Sequence, residues 1–301
     1  MTNLVRSELL RIWSRRMVRV LAILSVVGIV VGVTIGAIQS SKPDLVAARV
    51  QYEGDMQRCL AGEMIPEDQL PPDVTLEEFC DDNVRLGSYV NSSLQLSELP
   101  AFLKGTAFIL IVLGLTIGAS SVGADWQVGT MAALLTWEPR RIRVFLTRVA
   151  VVVLSVFALA VALQSVLSLA LAAAAALRGT TVGTESPWLA GVTWTLLRIA
   201  GASALGAWIG VTLAMVGRNT AAALGVAFGY LAIVESLLRG FIPRISGSLL
   251  STNLVIFVDG KAGTSDTGSP IAVGDAVITI TLYASVLLIV ALAMFRTRDV
   301  T

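Results

Sequence analysis

Six long apolar runs, roughly Met17 to Gln39, Leu103 to Ala124, Val149 to Leu177, Trp188 to Val216, Thr220 to Leu238 and Ala276 to Phe295, restrict this chain more than any motif in it. About 20 apolar residues in a helix cross the ~30 Å of hydrocarbon in a bilayer. With 55% hydrophobic and only 14% charged residues, the chain carries far more apolar length than a soluble core uses. Backbone groups in lipid find no water, so each run must satisfy its own N–H and C=O groups as a helix. The expected fold is an all-α integral membrane protein, residues 1–301 forming a single transmembrane domain of six transmembrane helices. The first run is too long, and lacks the small-residue pattern, for a cleaved signal peptide, so it counts as a retained span.

Basic residues gather at one set of span ends. Arg6, Arg11, Arg15, Arg16 and Arg19 precede the first span, Arg140, Arg141, Arg143 and Arg148 lie between the second and third, Arg218 between the fourth and fifth, and Arg296 and Arg298 follow the sixth. Cytoplasmic flanks are enriched in Lys and Arg, which places both termini and the 125–148 loop in the cytoplasm of a multi-pass protein of the plasma or inner membrane. The loop over residues 40–102, on the opposite side, holds twelve carboxylates against Lys42, Arg49, Arg58 and Arg85, a local net charge of −8. The chain's formal net charge of +1 hides this asymmetry, and nothing in it suggests nucleic acid as a partner.

Cys59 and Cys80, the only cysteines, both fall in that acidic loop. An oxidising compartment suits a disulfide; closing a loop of about twenty residues stabilises a charge-rich cap with little apolar core by on the order of 3 kcal/mol. Two free thiols are the alternative, since a pair whose Cα atoms lie more than ~7 Å apart cannot close. Two cysteines without a single histidine make a poor metal site.

The N-terminal stretch Asn3 to Arg16, plotted at 100° per residue, sets Val5, Leu9, Ile12 and Trp13 on one side and Ser7, Glu8, Arg11, Ser14 and Arg15 on the other. That pattern fits an interfacial helix lying in the membrane plane, with Trp13 at headgroup depth; a plain basic flank is the alternative. Within the spans, Gly28 and Gly32 or Gly225 and Gly229 fit small-xxx-small helix packing better than a cofactor box. Gln164, Ser165 and Ser168 form a polar patch read as interhelical bonding. Arg198, deep in the fourth span, and Glu235, near the outer end of the fifth, are the two charges that lipid penalises. An ion pair between them is preferred over contact with a substrate.

Catalytic chemistry is hard to find. The chain has no GxxxxGK[ST] phosphate loop, no HExxH and, without histidine, no Ser-His-Asp triad. No enzymatic activity and no bound cofactor are expected of it.

Between the second and third spans runs Asp125-x-x-x-Gly129-Thr130-x-x-x-Leu134-Leu135-x-x-x-Pro139-Arg140-Arg141. Gly129 permits a tight bend out of the second span, Thr130 can cap the turn that follows, and Met131, Leu134 and Leu135 at i, i+3 and i+4 share one apolar face. A cytoplasmic helix whose ends both continue into spans passes a soluble partner's motion straight into the bilayer; the alternative is that its stripe lies on the membrane surface. Arg140, Arg141 and Arg143 are read as anchors to lipid phosphates.

With six spans and a basic amphipathic N-terminal helix, this loop resembles that of the permease subunits of ABC exporters of the type-two membrane family. Members usually place an acid, most often Glu, four residues before Gly-Thr, then two leucines and a Pro-x-Arg-like break; here the acid is Asp125 and the break is Pro139-Arg140-Arg141. The acidic 40–102 loop is not explained by the resemblance. The segment from Arg239 to Asp275 resembles the family's short re-entrant outer helices between spans five and six. The resemblance implies a permease that pairs with a second copy or a homologue, forms the translocation path at their interface, and works with two copies of a separate ATP-binding subunit. That subunit would bind ATP and Mg and receive the coupling helix formed by Asp125, Gly129, Thr130, Met131, Leu134, Leu135, Pro139, Arg140 and Arg141 in a surface groove. The reading from another class is a non-transporting membrane signalling or scaffold protein whose outer loop binds a partner; an intramembrane enzyme has only Arg198 and Glu235 to offer. The transported substrate is not legible in the chain.

Overall fold

The computed structural model describes residues 2–40, 44–64, 75–89, 94–130, 141–181, 183–184 and 186–297. Its helices are α1 (Thr2–Ser14), α2 (Arg16–Gln39), α3 (Leu45–Leu60), α4 (Leu76–Asn83), α5 (Leu86–Tyr89), α6 (Leu99–Gly105), α7 (Ala107–Gln127), α8 (Arg141–Arg178), α9 (Ser186–Gly217), α10 (Thr220–Gly229), α11 (Glu235–Phe241), α12 (Leu250–Asp259) and α13 (Val273–Thr297). A π-turn, Tyr230–Val234, joins α10 to α11. Among the described residues the named strands are β1 (Gly263–Thr264) and β2 (Pro270–Ile271), an antiparallel pair that leads from α12 to α13.

Six helical stretches of the described residues are long and apolar enough to cross a membrane: Arg16–Gln39, Leu96–Gln127, Ile142–Arg178, Pro187–Gly217, Thr220–Phe241 and Val273–Thr297. They coincide with the six apolar runs, and an all-α multi-pass membrane protein accounts for them. The runs fall short of several helix ends, most of all at the start of α8. α8 has 38 residues, about 57 Å at 1.5 Å per residue, and takes in Arg143 and Arg148, which were expected in a loop over 125–148. Lipid limits where charge is tolerated, but arginine propagates a helix well; the connection between spans two and three therefore narrows to residues 128–140.

The chain forms two compact units, one of residues 1–27, 100–166 and 191–301, the other of residues 28–99 and 167–190. In the first, α7 and α9 approach backbone to backbone. A Cβ on Gly114 would overlap the Ser203 carbonyl, one on Gly118 the Ala207 carbonyl, one on Gly206 the Ile111 carbonyl and one on Gly210 the Leu115 carbonyl. Two GxxxG stripes thus interlock, the geometry that small residues permit between transmembrane helices. The glycines singled out from the sequence behave differently: Gly28, Gly32, Gly225 and Gly229 each have no neighbour within 4 Å of an added Cβ. Spacing alone does not say which stripe meets another backbone.

In the second unit, Cys59 of α3 and Cys80 of α4 are bridged, with Cα atoms 5.9 Å apart. Val84, Tyr52, Met56, Leu76, Phe79 and Tyr89 pack around the bridge, and Tyr52 meets Tyr89 edge-on at 6.3 Å. Asp44 caps α3 by accepting from Val46 and Ala47 N–H, and Thr75 caps α4 through Glu78 N–H. The Tyr89 phenol is pushed above its ordinary pKa, first by its hydrogen bond to Asp55. Elsewhere in this unit the backbones of Leu94, Leu96 and Thr180 exchange hydrogen bonds, and Trp188 donates its indole N–H to the Ser97 carbonyl at 3.1 Å.

Candidate functional site

Asp125, buried in the last turn of α7, is the hub of an ion cluster in the first unit. Its Oδ1 accepts from Arg15 at 2.8 Å and lies 3.1 Å from an Arg11 nitrogen, while Oδ2 lies 2.8 Å from an Arg148 nitrogen. Arg148, 1% exposed, also donates to Glu8 Oε1 at 3.0 Å. Arg15 further donates to the Ser120 and Ser121 carbonyls at 2.8 and 3.1 Å. Arg11 of α1, Arg15 in the break that follows it and Arg148 of α8 therefore converge on two buried carboxylates. Charges out of water are tolerated only with such dense pairing.

The cluster changes the reading of α1. Glu8, Arg11 and Arg15, expected on a polar face turned away from the bilayer, point into the protein together with buried Ile12. Val5, Leu9, Leu10 and Trp13 are its exposed large apolar side chains, and Arg6, Ser7 and Ser14 are exposed as well. The division of faces differs from the expected one: Ile12, expected beside Val5, Leu9 and Trp13, is buried with the charges, while Ser7 and Ser14, expected beside Glu8, are exposed. Glu8 and Arg148 were not recognised from the sequence as partners. A signal was present: Glu8 is the only acid in the first 43 residues and Asp125 the only one between Glu98 and Glu138, and isolated acids in a basic apolar context need a counter-charge.

Beyond Asp125 the chain turns sharply. Gly129 has φ of 75°, a left-handed bend that glycine takes without strain. The Thr130 hydroxyl donates to the Asp125 carbonyl and accepts from Arg11, each at 3.3 Å. Arg218, in the turn between α9 and α10, stacks 4.5 Å over the Trp126 ring, which meets Phe295 of α13 edge-on at 6.4 Å. Met131, Leu134, Leu135, Pro139 and Arg140 lie outside the described residues; of Arg141 only the backbone, opening α8, is described.

The two intramembrane charges do not pair. Glu235, 1% exposed, accepts from the backbone N–H of Leu250 at 2.9 Å and of Ser251 at 3.3 Å, and from the Ser251 hydroxyl. Leu249 at the N-cap of α12 offers no side-chain cap, so a carboxylate from α11 performs that task. Arg198 reaches the other end. Its guanidinium lies against Gly260, where an added Cβ would collide with it, and Gly260 is the left-handed C-cap of α12 with φ of 67°. Acid at the N-terminus and base at the C-terminus both match the helix dipole. α12 is held further by Arg239, which donates to Ser251 and Thr252 at 2.8 and 2.7 Å, by Lys104 paired with Asp259 at 3.1 Å, and next to it by Tyr283, which donates to the Ser248 carbonyl at 3.2 Å.

Gln164, 1% exposed, bonds the Thr106 hydroxyl and the Leu103 carbonyl from α8 to α6 and the start of span two, the interhelical role read from its position. Among the described residues no cluster of three or more His, Cys, Asp or Glu side chains has the form of a metal site. The chain matches no protein-family model and no curated protein.

Proposed function

We propose that this chain is the permease subunit of an ATP-driven exporter, similar to the type-two ABC family, in which two permease copies form the path and two separate ATP-binding subunits carry ATP and Mg. The observation that supports it is the ion cluster at Asp125. It ties α1 and α8 to the residue at which span two leaves for residues 128–140, so a push on that segment would be taken up by the spans and not absorbed by a loop. In this reading both termini are cytoplasmic, the exposed Leu9, Leu10 and Trp13 of α1 rest in the membrane interface, and α12 is a re-entrant outer helix. Transport needs a bistable packing between helices and no catalytic side chain in this chain.

The experiment is co-purification of a candidate ATP-binding subunit with Leu134→Glu/Leu135→Glu and with the parent, at matched membrane expression. Unpaired charge in a docking groove costs several kcal/mol, so the variant is expected to insert and to lose the subunit. Equal retention by both proteins refutes the docking role of residues 125–141. The disulfide-closed helices α3 and α4 favour one second reading, a membrane receptor or scaffold; a purified complex without nucleotide-stimulated transport would support that reading.

A further inference from the structure

The first unit contains a cavity of about 410 Å³ lined by α7, α9, α10, the π-turn, α12 and α13. That volume falls in the ~300–1,000 Å³ range of small-molecule sites. Of its eighteen described lining residues, only Tyr230 and Tyr283 carry a polar side chain. Their hydroxyls are already engaged, Tyr230 with Tyr283 at 3.1 Å and Tyr283 with the Ser248 carbonyl at 3.2 Å. A buried water needs two to four polar partners, which these walls do not offer.

We infer that this cavity holds one hydrocarbon chain of a membrane amphiphile, entering sideways from the bilayer. Three features select that occupant. Of the lining residues, Val226, Leu282 and Val286 are 58%, 62% and 51% exposed, on helices long and apolar enough to cross a membrane, so the cavity opens on that side. The lining on α9 runs from Ala202 to Leu213, about 16 Å along the helix axis, a reach that an extended chain can follow. Along that length Leu205, Ile209 and Leu213, spaced by four, are half-buried in a helix whose neighbouring positions are mostly closed; they are the positions a chain in the cavity would cover. The π-turn at the cavity supplies Tyr230 and Leu231, a local irregularity of the kind that recurs at binding sites. The inference stands whether or not the chain transports anything.

The test uses the full chain in phosphatidylcholine nanodiscs doped with a phospholipid bearing a diazirine at mid-chain. After irradiation, adducts are mapped by mass spectrometry. Adducts at Leu205, Ile209 or Leu213 are expected, and Val286→Trp, which plugs the mouth, should reduce them at least tenfold. Ile278→Trp, exposed on the same helix but outside the cavity, should leave them unchanged. Both variants should keep the parent's thermal transition. The parent map stands by itself if Val286→Trp fails to fold. Adducts confined to outward-facing positions such as Ile23 and Ile278 overturn the inference, as do α9 adducts insensitive to Val286→Trp or lost when two copies associate.

Discussion

Asp125 balances three guanidinium groups with two oxygens, and no neighbour can replace it, because Glu8 is already bound to Arg148. Asp125→Asn keeps the shape and removes the charge. Breaking a buried pair by deleting one partner costs about 3–5 kcal/mol, so the variant's thermal transition in detergent should fall markedly. Trypsin should then cut at Arg11 and at Arg15, just beyond α1, faster than in the parent. A second expectation concerns Glu235 and Arg198. They brace opposite ends of the ten-residue α12, about 15 Å apart along its axis. Alanine substitutions there should each destabilise, and the double variant should be additive to within about 0.5 kcal/mol. Strong coupling in that thermal-unfolding cycle would restore a direct pair. From the sequence the two residues could be recognised as charges needing partners, but the partners proved to be backbone groups of a short helix, which have no letter in a sequence.

At the scale of elements, the crossing of α7 and α9 rests on glycine at four positions. Gly210→Val forces a methyl-bearing carbon into the Leu115 carbonyl and should abolish the monodisperse folded species on size-exclusion chromatography. At Gly225 an added Cβ meets no neighbouring element within 4 Å, so Gly225→Ala should leave the protomer folded, with a change of no more than about the 0.5 kcal/mol at which surface substitutions lie. The six spans themselves were legible because their cause, the length of hydrocarbon to be crossed, acts on each run separately. The glycine contacts were not, since four stripes have the same spacing and only the assembled bundle distinguishes the two that meet. α1 was half legible: periodicity divides its faces, yet whether the charged face meets water or other charges depends on Asp125 and Arg148, more than a hundred residues away.

For the molecule as a whole, the bridge between Cys59 and Cys80 stabilises one unit selectively. Cys59→Ser/Cys80→Ser should weaken residues 44–89 by about 3 kcal/mol and make them the first site of proteolysis, while fragments from residues 107–166 and 191–297 stay intact. Thiol labelling of unreduced parent protein should give no adduct. The bridge was readable from two cysteines in one loop; the segment proposed to dock a partner was readable only as a pattern, its central residues 131–140 lying outside the described structure. Span two also has a mechanical consequence. Gly114 and Gly118 press on α9 near the middle of α7, leaving arms of about 14 Å toward Ala107 and about 16 Å toward Gln127. Bare backbones in contact leave no compliant side chains to take up slack, so under the proposed transport role this crossing would serve as the fulcrum of any tilt. A swing of the Asp125 end would then return the Ala107 end by nearly the same distance, and would have to carry with it Thr220, whose backbone abuts Gly123 on the longer arm.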